Sequence, residues 1–155
     1  MAMSKNISIK NRKARFNYEV IDRYTAGIVL KGTEIKSLRT GQASIAESFC
    51  EFNNEELFVI NMTIQIYSHA SHYNHQAKSA RKLLLQRREL NKLSKAIKNT
   101  GLTIVPLHLY INDHGLAKME IALCRGKKLY DKRETLKDRD NQRDLGRIKK
   151  AHNTQ

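Results

Sequence analysis

Hydrophobic and polar positions alternate in short runs over most of the first 124 residues, which is the pattern of half-buried strands. Phe16, Tyr18 and Val20, then Ala26 to Leu30, read as two strands joined by a turn at Asp22 to Thr25. Gly32 breaks the second run, Thr33 can cap a short helix over Glu34 to Arg39, and Gly41 ends it. Ile45 to Phe52 reads as a strand, Asn53 and Asn54 as a hairpin tip, and Leu57 to Ile60 as the returning strand. Met62, Ile64 and Ile66 alternate with polar partners and predict a further strand; Ser68 to Lys78 is a polar loop holding three histidines. Leu83, Leu90, Leu93 and Ile97 fall on one face of a basic helix, with Gly101 where a C-terminal cap belongs. Leu102 to Ile111 and Leu116 to Leu123 predict two strands around an Asn112-Asp113-His114-Gly115 turn.

Many short strands with one or two helices in so small a chain predict a mainly β fold. An OB-type closed or partly closed β-barrel with flanking α-helices fits best, because closure removes exposed strand edges and such barrels commonly bind nucleic acid. The pattern changes at Arg125. From there to Gln155 apolar residues are sparse and acids alternate with bases, as in Asp140 and Arg143. Residues 1–124 therefore read as the barrel with its flanking helices. Residues 125–155 read as a basic tail, disordered alone and helical when docked on a partner.

Charge adds a partner to this picture. Lys and Arg number 29 against 15 Asp and Glu, a formal net charge of +14 with a pI near 10.0. Such an excess suits a polyanion, since each phosphate neutralised releases a bound counterion. The bases are clustered: Lys5, Lys10, Arg12, Lys13 and Arg15 in an N-terminal arm; Lys78, Arg81, Lys82, Arg87 and Arg88 around the long helix; and Arg125, Lys127 and Lys128 after the last strand. A solvated surface would scatter them, whereas this clustering suggests one RNA-facing surface. Tyr24, Tyr73 and Tyr130 lie in polar or basic stretches where a ring can stack on a base, or else pack against the barrel. No stretch approaches the length of a membrane span, and Met1 to Phe16 reads as a basic arm rather than a secretory signal, so a cytoplasmic protein is expected.

Candidate chemistry changes little. Cys50 and Cys124 are too few for a disulfide framework or a four-cysteine zinc site and read as buried thiols. A lowered pKa at Cys124, just before Arg125, is the alternative. His69, His72 and His75 are spaced by three, but no apolar period supports a helix that would align them on a metal. There is no phosphate-cradling glycine loop, no HExxH and no GxSxG. No catalytic residue, metal or cofactor is therefore expected. A nuclease using His72 or His75 is the enzymatic alternative. A general single-strand binder is the alternative among binding modules, although it lacks stacking aromatics and leaves the tail unexplained.

Several segments together carry a family resemblance. Asn11-Arg12-Lys13-Ala14-Arg15 leads into Ala26-Gly27-Ile28-Val29-Leu30, then Gly32-Thr33-Glu34-Ile35-Lys36-Ser37-Leu38-Arg39 and Gly41. Arg81-Lys82-Leu83-Leu84-Leu85 follows, and finally Arg125-Gly126-Lys127-Lys128-Leu129-Tyr130-Asp131-Lys132-Arg133-Glu134-Thr135. In this order and spacing they resemble the SsrA-binding proteins, or small protein B, of bacterial trans-translation, over nearly the whole chain. The resemblance implies an OB-type barrel that binds the transfer-RNA-like domain of transfer-messenger RNA and carries it into stalled ribosomes. It implies RNA binding, or support of the RNA surface, by Asn11, Glu34, Lys36, Arg39, Leu84 and Lys118. The basic segments add Arg12, Lys13, Arg15, Arg81 and Lys82. It also implies a tail that meets the decoding centre and empty messenger channel of the small subunit through Gly126, Lys127, Lys128, Tyr130, Asp131, Lys132, Arg133 and Ile148. Neither DNA nor a membrane is an expected partner. Physically, Arg39, Lys82 and Lys118 can neutralise phosphate, Glu34 on an RNA face can position a base or accept from a sugar hydroxyl, and Leu84 is expected to pack rather than touch RNA. Thr25 departs from the family, which usually has an acid there. Gln76-Ala77-Lys78-Ser79 lacks the usual proline and first arginine, and Lys78 can supply the charge.

Overall fold

The computed structural model describes residues 7–69, 73–99 and 101–126. Nine strands and three helices follow in the order β1 (Ser8–Lys10), α1 (Arg12–Asn17), β2 (Tyr18–Ile28), α2 (Gly32–Arg39), β3 (Ala43–Ser44), β4 (Phe49–Asn53), β5 (Glu56–Ile60), β6 (Thr63–Ile64), β7 (Arg81–Leu84), α3 (Arg87–Ala96), β8 (Leu102–Ile111) and β9 (Ala117–Gly126).

Antiparallel pairing runs β8-β4-β5-β7-β2-β9 and returns from β9 to β8, so the main sheet closes into a ring. One edge of β8 pairs with β9 along its whole length. The other edge is shared, by β4 at Ile104 and by β1 at His108 to Tyr110. The expected mainly β, closed architecture with flanking helices is thus present, and closure leaves few bare edges in the ring. The interior is filled by side chains that are essentially inaccessible, among them Leu57, Val59, Leu83, Leu109, Met119 and Ile121. Each such side chain stabilises the fold by roughly 1.5–3 kcal/mol through its burial. A second, smaller core lies outside the ring, where Ala14 of α1 meets Val105, Leu107, Ala122 and Cys124, with Tyr18 and Val20 beside them. A shift of register between Pro106 and His108 places Leu107 in this outer core.

Three readings of the alternation change. The two strands expected around a turn at Asp22 to Thr25 are one continuous strand, β2. A bulge between Val20 and Asp22 lets Tyr18 and Val20 serve the outer core, while half-buried Tyr24 and buried Ala26 and Ile28 serve the interior. Leu83 belongs to β7, inside the ring, and the basic helix starts only at Arg87, with Leu90 and Leu93 buried. The end of the N-terminal arm is built into the fold as β1 and α1, and Phe16 lies in α1 rather than a strand.

Other readings hold with small shifts. The hairpin tip is Asn54 and Glu55, both at positive φ, as a two-residue type I′ turn requires. Met62, Ile64 and Ile66 yield only the short β6, and Ile45 lies before β4. Helix α2 begins at Gly32, capped by Lys31 rather than Thr33, and Gly41 beyond its end has φ +77°. The turn between β8 and β9 is held by Asn112, whose Oδ1 accepts from the N–H groups of His114 (3.1 Å) and Leu116 (2.9 Å). Strand β9 runs through Gly126, which pairs with Tyr18. Among the described residues no helix is long and apolar enough to cross a membrane.

Candidate nucleic-acid interface

Several residues expected to face RNA lie inside the protein. Arg81 and Glu34 form an ion pair with side chains only 2% and 4% exposed. Arg81 Nε donates to Glu34 Oε2, Nη1 to the carbonyls of Met62 (2.8 Å) and Ser79 (3.3 Å), and Nη2 to those of Gln76 (3.2 Å) and Ala77 (3.1 Å). Every N–H of the guanidinium is thereby used, so Arg81 has none left for a phosphate. Glu34 Oε1 meanwhile accepts from the Lys31 N–H at 2.9 Å, one half of a capping box on α2. With its side chain only 4% exposed, Glu34 is not placed to meet a sugar hydroxyl. The pair instead fixes the start of α2 to the backbone of the basic segment Gln76 to Ser79.

His75 strengthens the same joint. Its Nε2 donates to the Ile64 carbonyl at 3.0 Å, and Nδ1 is hydrogen-bonded with Thr33 Oγ1 at 2.9 Å. His75 is therefore a buried fastener rather than a metal ligand or nuclease base, while His72 lies outside the described residues. Among the described residues no cluster of His, Cys, Asp and Glu could hold a metal.

Asn11 is likewise internal. It caps α1 by accepting from the Ala14 N–H (3.2 Å), and its Nδ2 donates to the carbonyls of Ile45 (3.2 Å) and Pro106 (2.9 Å). Both thiols are buried and free. Burial pushes the Cys124 thiol up to about 11, so the lowered pKa considered for it is not found; burial, then the neighbouring Cys124, raises Cys50 further still.

Of the cations expected to meet RNA, those described at the surface lie on α1, α2 and one face of the ring, while α3 exposes Arg87 and Arg88. On α2, Lys36 is exposed with its ammonium 5.6 Å from the centre of the Tyr67 ring, and Arg39 is half-buried. On α1, Arg12 is exposed and Lys13 pairs with Glu47 at 2.7 Å. Arg15 lies in the same helix. Lys82 on β7 pairs with Glu56 at 3.1 Å, so part of its charge is already met.

Cross-strand register aligns Leu84 on β7, Gly27 on β2, Lys118 on β9, Tyr110 on β8 and Ser8 on β1. This row faces outward, because its neighbours Leu83, Ile28, Ala26, Met119 and Leu109 line the interior. Leu84, expected to pack, is 52% exposed. The next outward row places Thr25, Glu120, His108 and Lys10 side by side. His108 and Tyr110 stack with centroids 4.9 Å apart, and His108 Nε2 lies 2.6 Å from Ser8 Oγ. The sequence reading missed these two rings; an apolar Leu109 between them was the available sign that both face outward. Gly126 ends β9 at the surface, and Lys127, Lys128, Tyr130, Asp131, Lys132, Arg133 and Ile148 lie outside the described residues.

Comparison with known proteins gives this surface a context. Residues 8–151 match the family model described as SmpB protein. An SsrA-binding protein of Christiangramia forsetii is 67% identical over 150 residues, covering 97% of this chain and 96% of that one. An SsrA-binding protein of Rhizobium johnstonii is 52% identical over 150 residues, covering 97% and 99%. A chain of a solved structure, described as "tmRNA-SmpB: a journey to the center of the bacterial ribosome", is 42% identical with a TM-score of 0.68, covering 84% of this chain and 94% of that one.

Proposed function

The chain belongs to the SmpB family, and on that premise we propose that it is a non-enzymatic adaptor that binds the transfer-RNA-like domain of transfer-messenger RNA and delivers it to stalled ribosomes in the cytoplasm. The observation that carries this reading is the family match over residues 8–151 on a chain of net charge +14. The fold supports it: the closed ring sets Lys118 and Lys10 on one outward face, and neither has a carboxylate within ion-pair distance among the described residues. Lys36 and Arg39 on α2 and Arg12 and Lys13 on α1 extend the basic surface, α1 also carrying Arg15 in its sequence, while Lys82 exchanges Glu56 for phosphate. Asn11, Glu34 and Arg81 support that surface from within. The tail, through Gly126, Lys127, Lys128, Tyr130, Asp131, Lys132, Arg133 and Ile148, reaches the decoding centre and the empty messenger channel. Its ordering entropy is offset only where a channel supplies many contacts, which selects ribosomes whose channel holds no message.

Sequencing the RNA that copurifies with the chain from its own cells tests the reading. Transfer-messenger RNA should dominate over ordinary transfer RNA. A mixture of RNAs in proportion to their abundance would instead indicate a general single-strand binder.

A further inference from the structure

We propose that the outer face of α3 is a second polyanion site, separate from the ring face that carries Lys118, and that it takes the phosphate backbone of a ribosomal RNA duplex. This rests on the adaptor function proposed above. Helix α3 buries Leu90 and Leu93 in the main core and turns its opposite side to solvent. Arg87, Arg88, Lys92, Lys95 and, just past the helix end, Lys98 are all exposed on that side. Asp22 meets Lys92 at 3.4 Å, and no carboxylate among the described residues pairs with the other four cations. Glu89, the only acid in the helix, accepts from the Gln86 N–H at 3.1 Å and so serves the helix start. The fold gains nothing from such crowding. Arg88 and Lys92 are four positions apart and Lys92 and Lys95 three, spacings at which like charges destabilise a helix. Cations that repel one another and lack partners in their own chain mark a surface built for an anionic partner.

The place of the helix identifies that partner. α3 closes the end of the ring at which β9 finishes: Lys92 ties it to Asp22 of β2, and the Asn99 carbonyl beyond it accepts from the Leu102 N–H at 3.4 Å, where Leu102 pairs with Arg125. Lys118 pairs with Gly27, five residues along β2 from Asp22 and therefore roughly 16 Å away. An RNA held on the ring face leaves α3 uncovered, while the body entered by the chain beyond Gly126 lies beside it. In the adaptor reading that body is the ribosome. Arg87 to Lys98 spans about 16 Å along a rigid rod. No aromatic ring stands among these cations, so the face suits a regular row of phosphates rather than unstacked bases.

The test compares the unmodified full chain with one carrying Arg87→Gln, Arg88→Gln, Lys95→Gln and Lys98→Gln. Thermal melting is recorded, and affinities for the transfer-RNA-like domain transcript and for ribosomes stalled at a message end are measured across a salt series. The fourfold variant should melt at or slightly above the unmodified chain and bind the transcript within about twofold of it, because only like-charge repulsion is removed. Its ribosome affinity should fall about ten- to a hundredfold, with a salt slope shallower by about three to four. Lys95→Gln with Lys98→Gln alone should give about half of that slope change, and Arg87→Lys with Arg88→Lys, which keeps the charge, should bind ribosomes as the unmodified chain does. Unchanged ribosome affinity and slope would overturn the site and leave the adaptor function standing. A parallel loss of transcript affinity would also overturn it, by placing α3 in the first RNA surface, and a loss of ribosome affinity at unchanged slope would replace the RNA partner with a protein. An unmodified chain that binds neither transcript nor ribosome would remove the function and the site together.

Discussion

Arg81 shows how far a residue's place can depart from its type. A buried guanidinium is tolerated only when its donors are matched, and here Glu34 and carbonyls along Met62 to Ser79 match them. Arg81→Met should therefore destabilise the chain by about 3–5 kcal/mol in urea unfolding, because it leaves Glu34 charged and unpaired. Replacing Glu34 by Leu in the same chain should recover a large share of that loss; strictly additive losses would show that the pair is not a unit. In the sequence both residues read as surface charges. Their partnership spans 47 positions, and one sequence carries no sign of such a contact. The thiols were legible, because Cys50 and Cys124 sit in apolar runs. With Cys124 raised to about 11, the native chain should resist iodoacetamide at pH 8 and both thiols should label once it is unfolded. The sign of the pH effect follows. The unfolded thiol ionises near its ordinary value and the folded one only above it, so the stabilisation is complete below about pH 8.5 and is lost as pH rises toward the folded value. Rapid native labelling at pH 8 would contradict the burial.

At the scale of elements, legibility followed locality. The β8–β9 hairpin and the β4–β5 hairpin were visible because turn residues and alternation sit next to each other in the chain. β7 was not, because Arg81 to Leu84 is only 4 residues long and runs straight toward a helix whose leucine spacing it happens to continue. α1 was hidden in a basic arm with hardly any apolar period of its own. It exists because Asn11 caps it and because Ala14 closes the outer core. Asn11→Ala should therefore cost about 1–3 kcal/mol, combining a lost cap with loss of the donor to the Pro106 carbonyl, while the Ile45 carbonyl keeps Ser48. Urea unfolding measures it, and a loss below about 0.5 kcal/mol, the usual bound for a surface substitution, would mean that α1 is not anchored through this side chain. On the proposed RNA face, residue type alone could not tell Lys118, which has no ion pair among the described residues, from Lys82, which is tied to Glu56.

The described residues form a closed ring whose two longest strand partnerships, β2 with β9 and β8 with β9, run as far as Gly126 and Arg125. Closure was inferred from the number of short strands, but its order was not, since β2 and β9 pair across the length of the chain and only register in three dimensions reveals it. Since the ring is complete at Gly126, a chain ending there should unfold as the full chain does and keep most of its affinity for the transfer-RNA-like domain. That affinity should fall with salt at a log–log slope of about −4 to −6, for roughly five to eight phosphates neutralised. A large loss of thermal stability on truncation would show that residues 127–155 pack on the ring. The adaptor account is tested most directly by peptide tagging in a purified translation system stalled at the end of a message. Tagging should require the chain, and replacing Asp131, Lys132 and Arg133 with Ala should abolish it while leaving RNA affinity intact. Tagging that proceeds without the chain, or at the normal level with the triple variant, would contradict the account.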